Sequence, residues 1–232
     1  MKNVLVTGAT KGIGLAIAEE FRQLGYRVFC SARNIEKTEF SAPFDLSKKE
    51  NVCQLYKYVK ENFGDIDILI NNAGSCVYSP IEKMEEEEII RLNTLNFLAP
   101  YVLCSLAIED MKKNNWGRII NIGSISGVVG EAYATLYSAT KAGLLGLTKS
   151  LALEVAQYGI TVNQINPGWV ETELSNNILD ENEKQETLDI IPQRRFVEPY
   201  EIAKLCTYLA SQDAKGLTGQ GINLCAGLSC GA

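Results

Sequence analysis

The sequence contains no histidine. That absence removes every mechanism built on imidazole: Ser-His-Asp and Cys-His nucleophilic catalysis, His-ligated zinc and a histidine pH switch. Proton transfer must fall to Tyr, Lys, Asp, Glu or Cys. CxxC pairs are missing too. The seven cysteines, Cys30, Cys53, Cys76, Cys104, Cys206, Cys225 and Cys230, are odd in number and dispersed, and they read as reduced thiols in a cytoplasmic setting. Basic residues are in deficit, 22 Lys plus Arg against 28 Asp plus Glu, for a net charge of -6. Nucleic acid or an anionic membrane surface would need clustered cations, so neither is expected as a partner. Long apolar runs are also lacking. The longest, Phe97 to Ile108, contains Pro100 and falls short of the about 20 residues that span a bilayer. From Met1 and Lys2 the chain passes straight into Val4-Leu5-Val6, without the features of a signal peptide.

What remains is an ordinary globular composition, 46% apolar over 232 residues, with no internal repeat or linker, which predicts one domain over 1–232. Short β-rich runs alternate with segments of helical period, the pattern of βα units over a parallel sheet. Predicted strands are Val4 to Val6, Arg27 to Ser31, Ala42 to Phe44, Ile66 to Ile70, Arg118 to Ile122, Thr161 to Ile165 and Gly221 to Leu224. Predicted helices include one after Ile13, one opened by a Ser47/Glu50 capping box, a long one from about Glu85 to Lys113, and Tyr133 to Gln157. Pro100 leaves the Asn96 carbonyl without its helical donor and predicts a bend there.

The turn after the first strand reads Thr7-Gly8-Ala9-Thr10-Lys11-Gly12-Ile13-Gly14. Glycines between a strand and a helix N-terminus let backbone approach a pyrophosphate, and the helix end supplies free N–H groups and a positive dipole. The spacing is GxxxGxG. At the end of the second strand, Cys30-Ser31-Ala32-Arg33-Asn34 holds no acid to bind a ribose 2′-OH. Arg33 and Lys11 instead supply cations suited to a 2′-phosphate, which predicts NADP(H).

Tyr137-Ser138-Ala139-Thr140-Lys141 puts a phenol and an ammonium one helical turn apart. A cation at about 5 Å, at an effective dielectric of about 20, is worth roughly 3 kcal/mol and is expected to lower the phenol's pKa by about 2. That would suit it to proton exchange near neutral pH. The strand Ile119-Ile120-Asn121-Ile122 runs into Gly123-Ser124, placing a hydroxyl at the carboxyl end of a parallel strand, where ligands bind in such sheets. Asn71-Asn72-Ala73-Gly74 closes another strand at the same edge. With the glycine turn, NNAG, Asn93, Ser124, YxxxK and Pro167-Gly168 in this order, the chain resembles the short-chain dehydrogenase/reductase family over essentially its whole length.

The resemblance implies a Rossmann-type doubly wound α/β fold, a parallel sheet of about seven strands with helices on both faces. It implies Asn93, Ser124, Tyr137 and Lys141 as the catalytic set. Tyr137 would be the general acid, Ser124 the group polarising the carbonyl, Lys141 the partner of Tyr137 and of the nicotinamide ribose, and Asn93 the holder of a water. It further implies cofactor contacts from Gly8, Thr10, Lys11, Gly12, Ile13, Gly14, Arg33, Asp45, Leu46, Asn71, Ala73, Gly74, Tyr137, Lys141, Pro167, Gly168, Val170 and Thr172.

Within the family the chain is most similar to 3-oxoacyl-[acyl-carrier-protein] reductases, notably at Asn115 to Gly127, Tyr137 to Glu154 and Gly159 to Thr172. This implies reduction of a β-keto acyl group, with acyl-carrier-protein as a candidate partner. The alternative is a polyol, sugar or cyclic-alcohol dehydrogenase, which the short link from 34 to 41 and the acidic surface permit. Asn115 and Tyr158 stand where members that dock acyl-carrier-protein present Arg, and repulsion between acidic chains opposes that partner. Lys112, Lys113 and Arg118 offer a local basic patch. Residues 174–195 read as a polar substrate lid. Leu144, Leu147 and Leu151 suit either the core or pairing into a homodimer or homotetramer.

Overall fold

The computed structural model describes residues 1–173, 175 and 179–230. The architecture is one parallel sheet of seven strands in the order β3-β2-β1-β4-β5-β6-β7. The strands are β1 (Asn3–Thr7), β2 (Arg27–Ala32), β3 (Ser41–Pro43), β4 (Ile68–Asn71), β5 (Gly117–Ile122), β6 (Ile160–Pro167) and β7 (Gly221–Leu224). The central strands are buried on both faces, as their near-continuous Val, Ile and Leu content requires. Order reverses between β1 and β4, so the chain leaves those two strands toward opposite edges and opens a crevice at their carboxyl ends.

Helices cover both faces. On one face, α1 (Gly12–Gln23) packs with the helix Pro199–Ala210, which is opened by Pro199 and a Glu198/Glu201 capping box. Ile17, Phe21, Val4, Ile120, Ile202 and Cys206 form the core there. On the other, α2 (Lys49–Asn62), α4 (Ala99–Lys113) and α6 (Thr135–Val155) bury Leu55, Val59, Leu103, Ala107, Leu151 and Val155 against the sheet. Between β2 and β3 the chain makes only a turn and a Thr38–Ser41 bridge. No helix fills that link, and a cavity of ≈ 460 Å³ lined by Ala9, Thr10, Arg22, Cys30 and Asn34 adjoins it.

Several expectations are corrected by packing. Ser47 does not cap α2, whose N-cap is Lys48; its hydroxyl donates to Asp45 Oδ1 at 2.7 Å instead. The helix expected from Glu85 to Lys113 is three pieces: α3 (Glu86–Asn93), a π-helical turn over Thr94–Leu98, and α4. Together they form a run of 28 residues, long and apolar enough by length and composition to cross a membrane. Reading Phe97 to Ile108 alone concealed that continuity. One face of the run, with Ala99, Leu103, Cys104 and Ala107, is committed to the core. Leu144 and Leu151 are buried inside the chain's own core, with the partly buried Leu147 packed against it.

The expected basic patch loses Arg118, while Lys112 and Lys113 stay at the surface with local partners. Arg118 is 2% exposed and donates to the carbonyls of Gly117 and Gly159, Lys113 pairs with the buried Asp110 at 3.2 Å, and Lys112 lies over the Tyr158 ring. In the expected lid, Leu174 and residues 176–178 lie outside the described residues. Beyond them, the helix Glu181–Ile190 starts from an Asp180/Glu183 capping box.

Candidate active site

The glycine turn joins β1 to α1 at the crevice. Gly8 and Gly12 have φ of +68° and +55°, the left-handed region that an L side chain rarely adopts. A Cβ on Gly14 would lie 2.2 Å from the Gly8 carbonyl oxygen, and one on Gly8 would lie 2.9 Å from Ala73 Cα. The turn is thus folded tightly on itself and on the end of β4. Asn72, which the motif reading passed over, fastens this junction: its Nδ2 donates to the carbonyls of Thr7 (2.9 Å) and Gly8 (3.1 Å). The backbone N–H groups of Asn72 and Ala73 both donate to Thr7 Oγ1 at 3.0 Å. Behind the turn stand the free N–H groups of the first turn of α1, the geometry that accepts a pyrophosphate.

Other expected cofactor residues are sorted by burial. Thr10 and Arg33 are exposed at the crevice. Lys11 is exposed as well and is paired with Glu173 at 2.7 Å, so the 167–173 segment reaches back across to the turn. Thr172 closes the same approach, its Cγ2 lying 3.3 Å from where a Gly12 Cβ would be. Asp45 is hydrogen-bonded by Ser47, which holds its carboxyl below the usual range, and the nearby Arg33 charge acts in the same direction. Gly168 packs on Cys225 at the end of β7. Ile13 packs against the core, and Leu46 and Val170 are buried. Asn71 is a correction: its side chain points into the sheet, where Nδ2 donates to Asn121 Oδ1 at 2.8 Å, and Asn121 in turn donates to Thr148. It ties β4 to β5 and α6 rather than lining the crevice.

At the adjoining ends of β5 and α6, Ser124, Tyr137 and Lys141 converge. Lys141 is 4% exposed, and its Nζ donates to the Ile122 carbonyl at 2.7 Å and sits 5.6 Å from the Tyr137 ring centre. Burial lowers the Lys141 pKa from 10.5 to about 8. The expected lowering of the Tyr137 pKa does not occur: burial pushes the phenol up, outweighing its hydrogen bond with Ser124. Cys76 and Glu131 act in the same direction as the loss of water. The phenol is therefore held in its acid form.

Asn93 is not part of this group. It ends α3 with its side chain exposed. Asn96, one helical turn on, is fully buried in the π-helical turn. Its Oδ1 accepts from Ser75 N at 2.9 Å, and its Nδ2 donates to the Ser75 carbonyl at 2.8 Å. A Cβ on Gly74 would lie 3.3 Å from Asn96 Oδ1 and 3.4 Å from Lys141 Nζ, so Gly74 is the spacer between them. The signal for Asn96 was Pro100, which has no N–H to give its carbonyl, together with the tendency of π-turns to mark functional sites.

A tetrad of Ser, Tyr, Lys and Asn beside a glycine-rich strand-to-helix turn, at the switch point of a parallel sheet, defines a nucleotide-dependent oxidoreductase. The comparisons place it: residues 2–183 match the short chain dehydrogenase family model, and the chain belongs to the short-chain dehydrogenase/reductase family. It is 39% identical to a 3-oxoacyl-[acyl-carrier-protein] reductase of Haemophilus influenzae, over 98% of each chain. It is 33% identical to the 3-oxoacyl-[acyl-carrier-protein] reductase MabA of Mycobacterium tuberculosis, over 99% of this chain and 94% of that one. Among solved structures, a variant of actinorhodin polyketide ketoreductase with NADPH superposes with a TM-score of 0.93 at 32% identity, covering 99% of this chain and 97% of that one.

Proposed function

We propose that this oxidoreductase reduces the ketone of a β-keto acyl thioester to the β-hydroxy acyl thioester, with NADPH as reductant. The observation that carries the proposal is the meeting of an acid-form phenol, Tyr137, with Ser124 and the buried Lys141 beside a glycine turn shaped for a dinucleotide. The full-length likeness to 3-oxoacyl reductases and to a ketoreductase holding NADPH supports the substrate class and the cofactor.

The residues present fit the dinucleotide. Gly8 and Gly14 let the turn close on itself and on the end of β4, where a Cβ would collide with the Gly8 carbonyl or Ala73, the first turn of α1 offers N–H donors, and Arg33 with Lys11 would meet a 2′-phosphate. When bound, NADPH supplies the hydride. Tyr137 donates its proton to the carbonyl oxygen, and Ser124 donates a hydrogen bond to that same oxygen, stabilising charge that grows in the transition state. Lys141 would hold the ribose hydroxyls and would return a proton to Tyr137. Asn96, with a carbonyl that Pro100 cannot satisfy, holds the water that connects Lys141 to solvent. With Arg118 buried, Lys113 paired with Asp110 and Lys112 over the Tyr158 ring, the proposal concerns the thioester itself and does not extend to acyl-carrier-protein as its carrier.

The test is NADPH oxidation against a panel of β-keto thioesters, sugars and cyclic ketones. Highest kcat/KM with a β-keto thioester is expected. Preference for a sugar or cyclic ketone would move the chain to the polyol or cyclic-alcohol reading, and no consumption with any carbonyl would overturn the reductase reading.

A further inference from the structure

One carboxylate near the reacting groups has no part in the tetrad. Glu131 lies in the turn between the short helix α5 (Ser126–Val129) and α6. Its two oxygens are held separately: Oε1 accepts from the Tyr78 hydroxyl at 2.6 Å and Oε2 from Ser126 Oγ at 2.6 Å. Ser126 Oγ in turn accepts from Ser124 Oγ at 3.0 Å. Two short charge-assisted bonds from different segments fix the carboxylate in place, and a single hydroxyl separates it from Ser124. Its charge is felt at the Tyr137 phenol and at the Cys76 thiol, raising both. The cation in this group, Lys141, is buried with its Nζ on the neutral Ile122 carbonyl and keeps its charge there. Glu131 adds a pinned negative charge one hydroxyl away from Ser124, and neutralising Glu131 alone isolates what that charge contributes.

We propose that Glu131 is a specificity-determining residue that rejects substrates with an anionic group next to the reacting carbonyl, so that a β-keto acid is reduced as its neutral thioester and not as the free carboxylate. This rests on the ketone-reductase reading above. The discrimination is built from repulsion, since the thioester and the free acid share the same ketone. A second carboxylate within about 10 Å of Glu131, at an effective dielectric of about 20, is disfavoured by on the order of tenfold.

The experiment compares kcat/KM for acetoacetate and for its N-acetylcysteamine thioester, with NADPH, in the wild-type chain, Glu131→Gln and Glu131→Asp. Taking the ratio within each enzyme cancels any loss of folded protein. The wild type is expected to favour the thioester. In Glu131→Gln the preference should fall on the order of tenfold, chiefly because acetoacetate improves, whereas Glu131→Asp, which keeps the charge, should stay within about twofold of wild type. Should the Gln variant not fold, Glu131→Ala removes the same charge. An unchanged ratio in the neutral variants overturns the role of Glu131 while leaving the reductase reading intact. Failure of the wild type to turn over either compound overturns the reductase reading and this inference with it.

Discussion

Replacing Lys141 by Met should make the folded protein more stable near pH 7 while abolishing turnover. Lys141 is 4% exposed, and burial lowers its pKa from 10.5 to about 8. At about 1.4 kcal/mol per pH unit, keeping that charge inside the folded chain costs about 3 kcal/mol at neutral pH. Met is close in length and carries no charge. Against this gain, the Ile122 carbonyl loses its 2.7 Å donor, a loss of about 1–3 kcal/mol. The variant is therefore expected to be stabilised by up to about 2 kcal/mol near pH 7, or up to about 8 °C in Tm for a chain of this size.

The pH dependence gives the sign. Below about pH 8 the wild-type amine is charged in both folded and unfolded states, and the cost is present in full. Between about 8 and 10.5 the folded amine loses its proton first, the unfolded chain binds more protons, and wild-type stability rises with pH. The advantage of Lys141→Met should shrink across that window and reverse above it, where only the unpaired Ile122 carbonyl remains. Urea unfolding of both proteins from about pH 7 to about pH 10.5, without nucleotide, measures this. A variant less stable than wild type at neutral pH, or a difference that does not change with pH, would refute the reasoning.

Two other substitutions follow from the site. Asn96→Ala should lower kcat at least about tenfold and strain the 75–96 junction, whereas Asn93→Ala, at an exposed helix end, should leave kcat within about twofold; a kinetic cost confined to Asn93→Ala would restore it to the tetrad. Arg33→Asp should raise KM for NADPH far more than for NADH, because it replaces the cation facing a 2′-phosphate with the acid that prefers a 2′-OH; equal changes for both nucleotides would remove Arg33 from that role.

What the sequence revealed was what depends on local pattern. Alternating strands and helices, the glycine turn and the Tyr137/Lys141 spacing placed the sheet and its reactive edge, because each is written in adjacent residues. What it concealed depends on burial and on distant partners. The Tyr137 pKa moves up instead of down because desolvation, invisible in the spacing, outweighs the hydrogen bond with Ser124. Asn93 was chosen over Asn96 because a regular helical reading has no place for the π-turn at Thr94–Leu98, which turns Asn96 inward. Of the surface patch that Lys112, Lys113 and Arg118 suggested, Arg118 is buried on two carbonyls, and the two lysines are engaged by the Tyr158 ring and Asp110. Glu131 carries no motif at all, and only its hydrogen bonds to Tyr78 and Ser126 bring it to the site.

The claim at the centre is that Tyr137 delivers the proton while other groups hold the nucleotide. Measuring NADPH affinity by fluorescence together with steady-state ketone reduction in Tyr137→Phe tests it directly. The account predicts nucleotide binding within about threefold of wild type and a loss of at least about 10²-fold in kcat. Turnover retained at a substantial fraction of wild type, with binding intact, would contradict it.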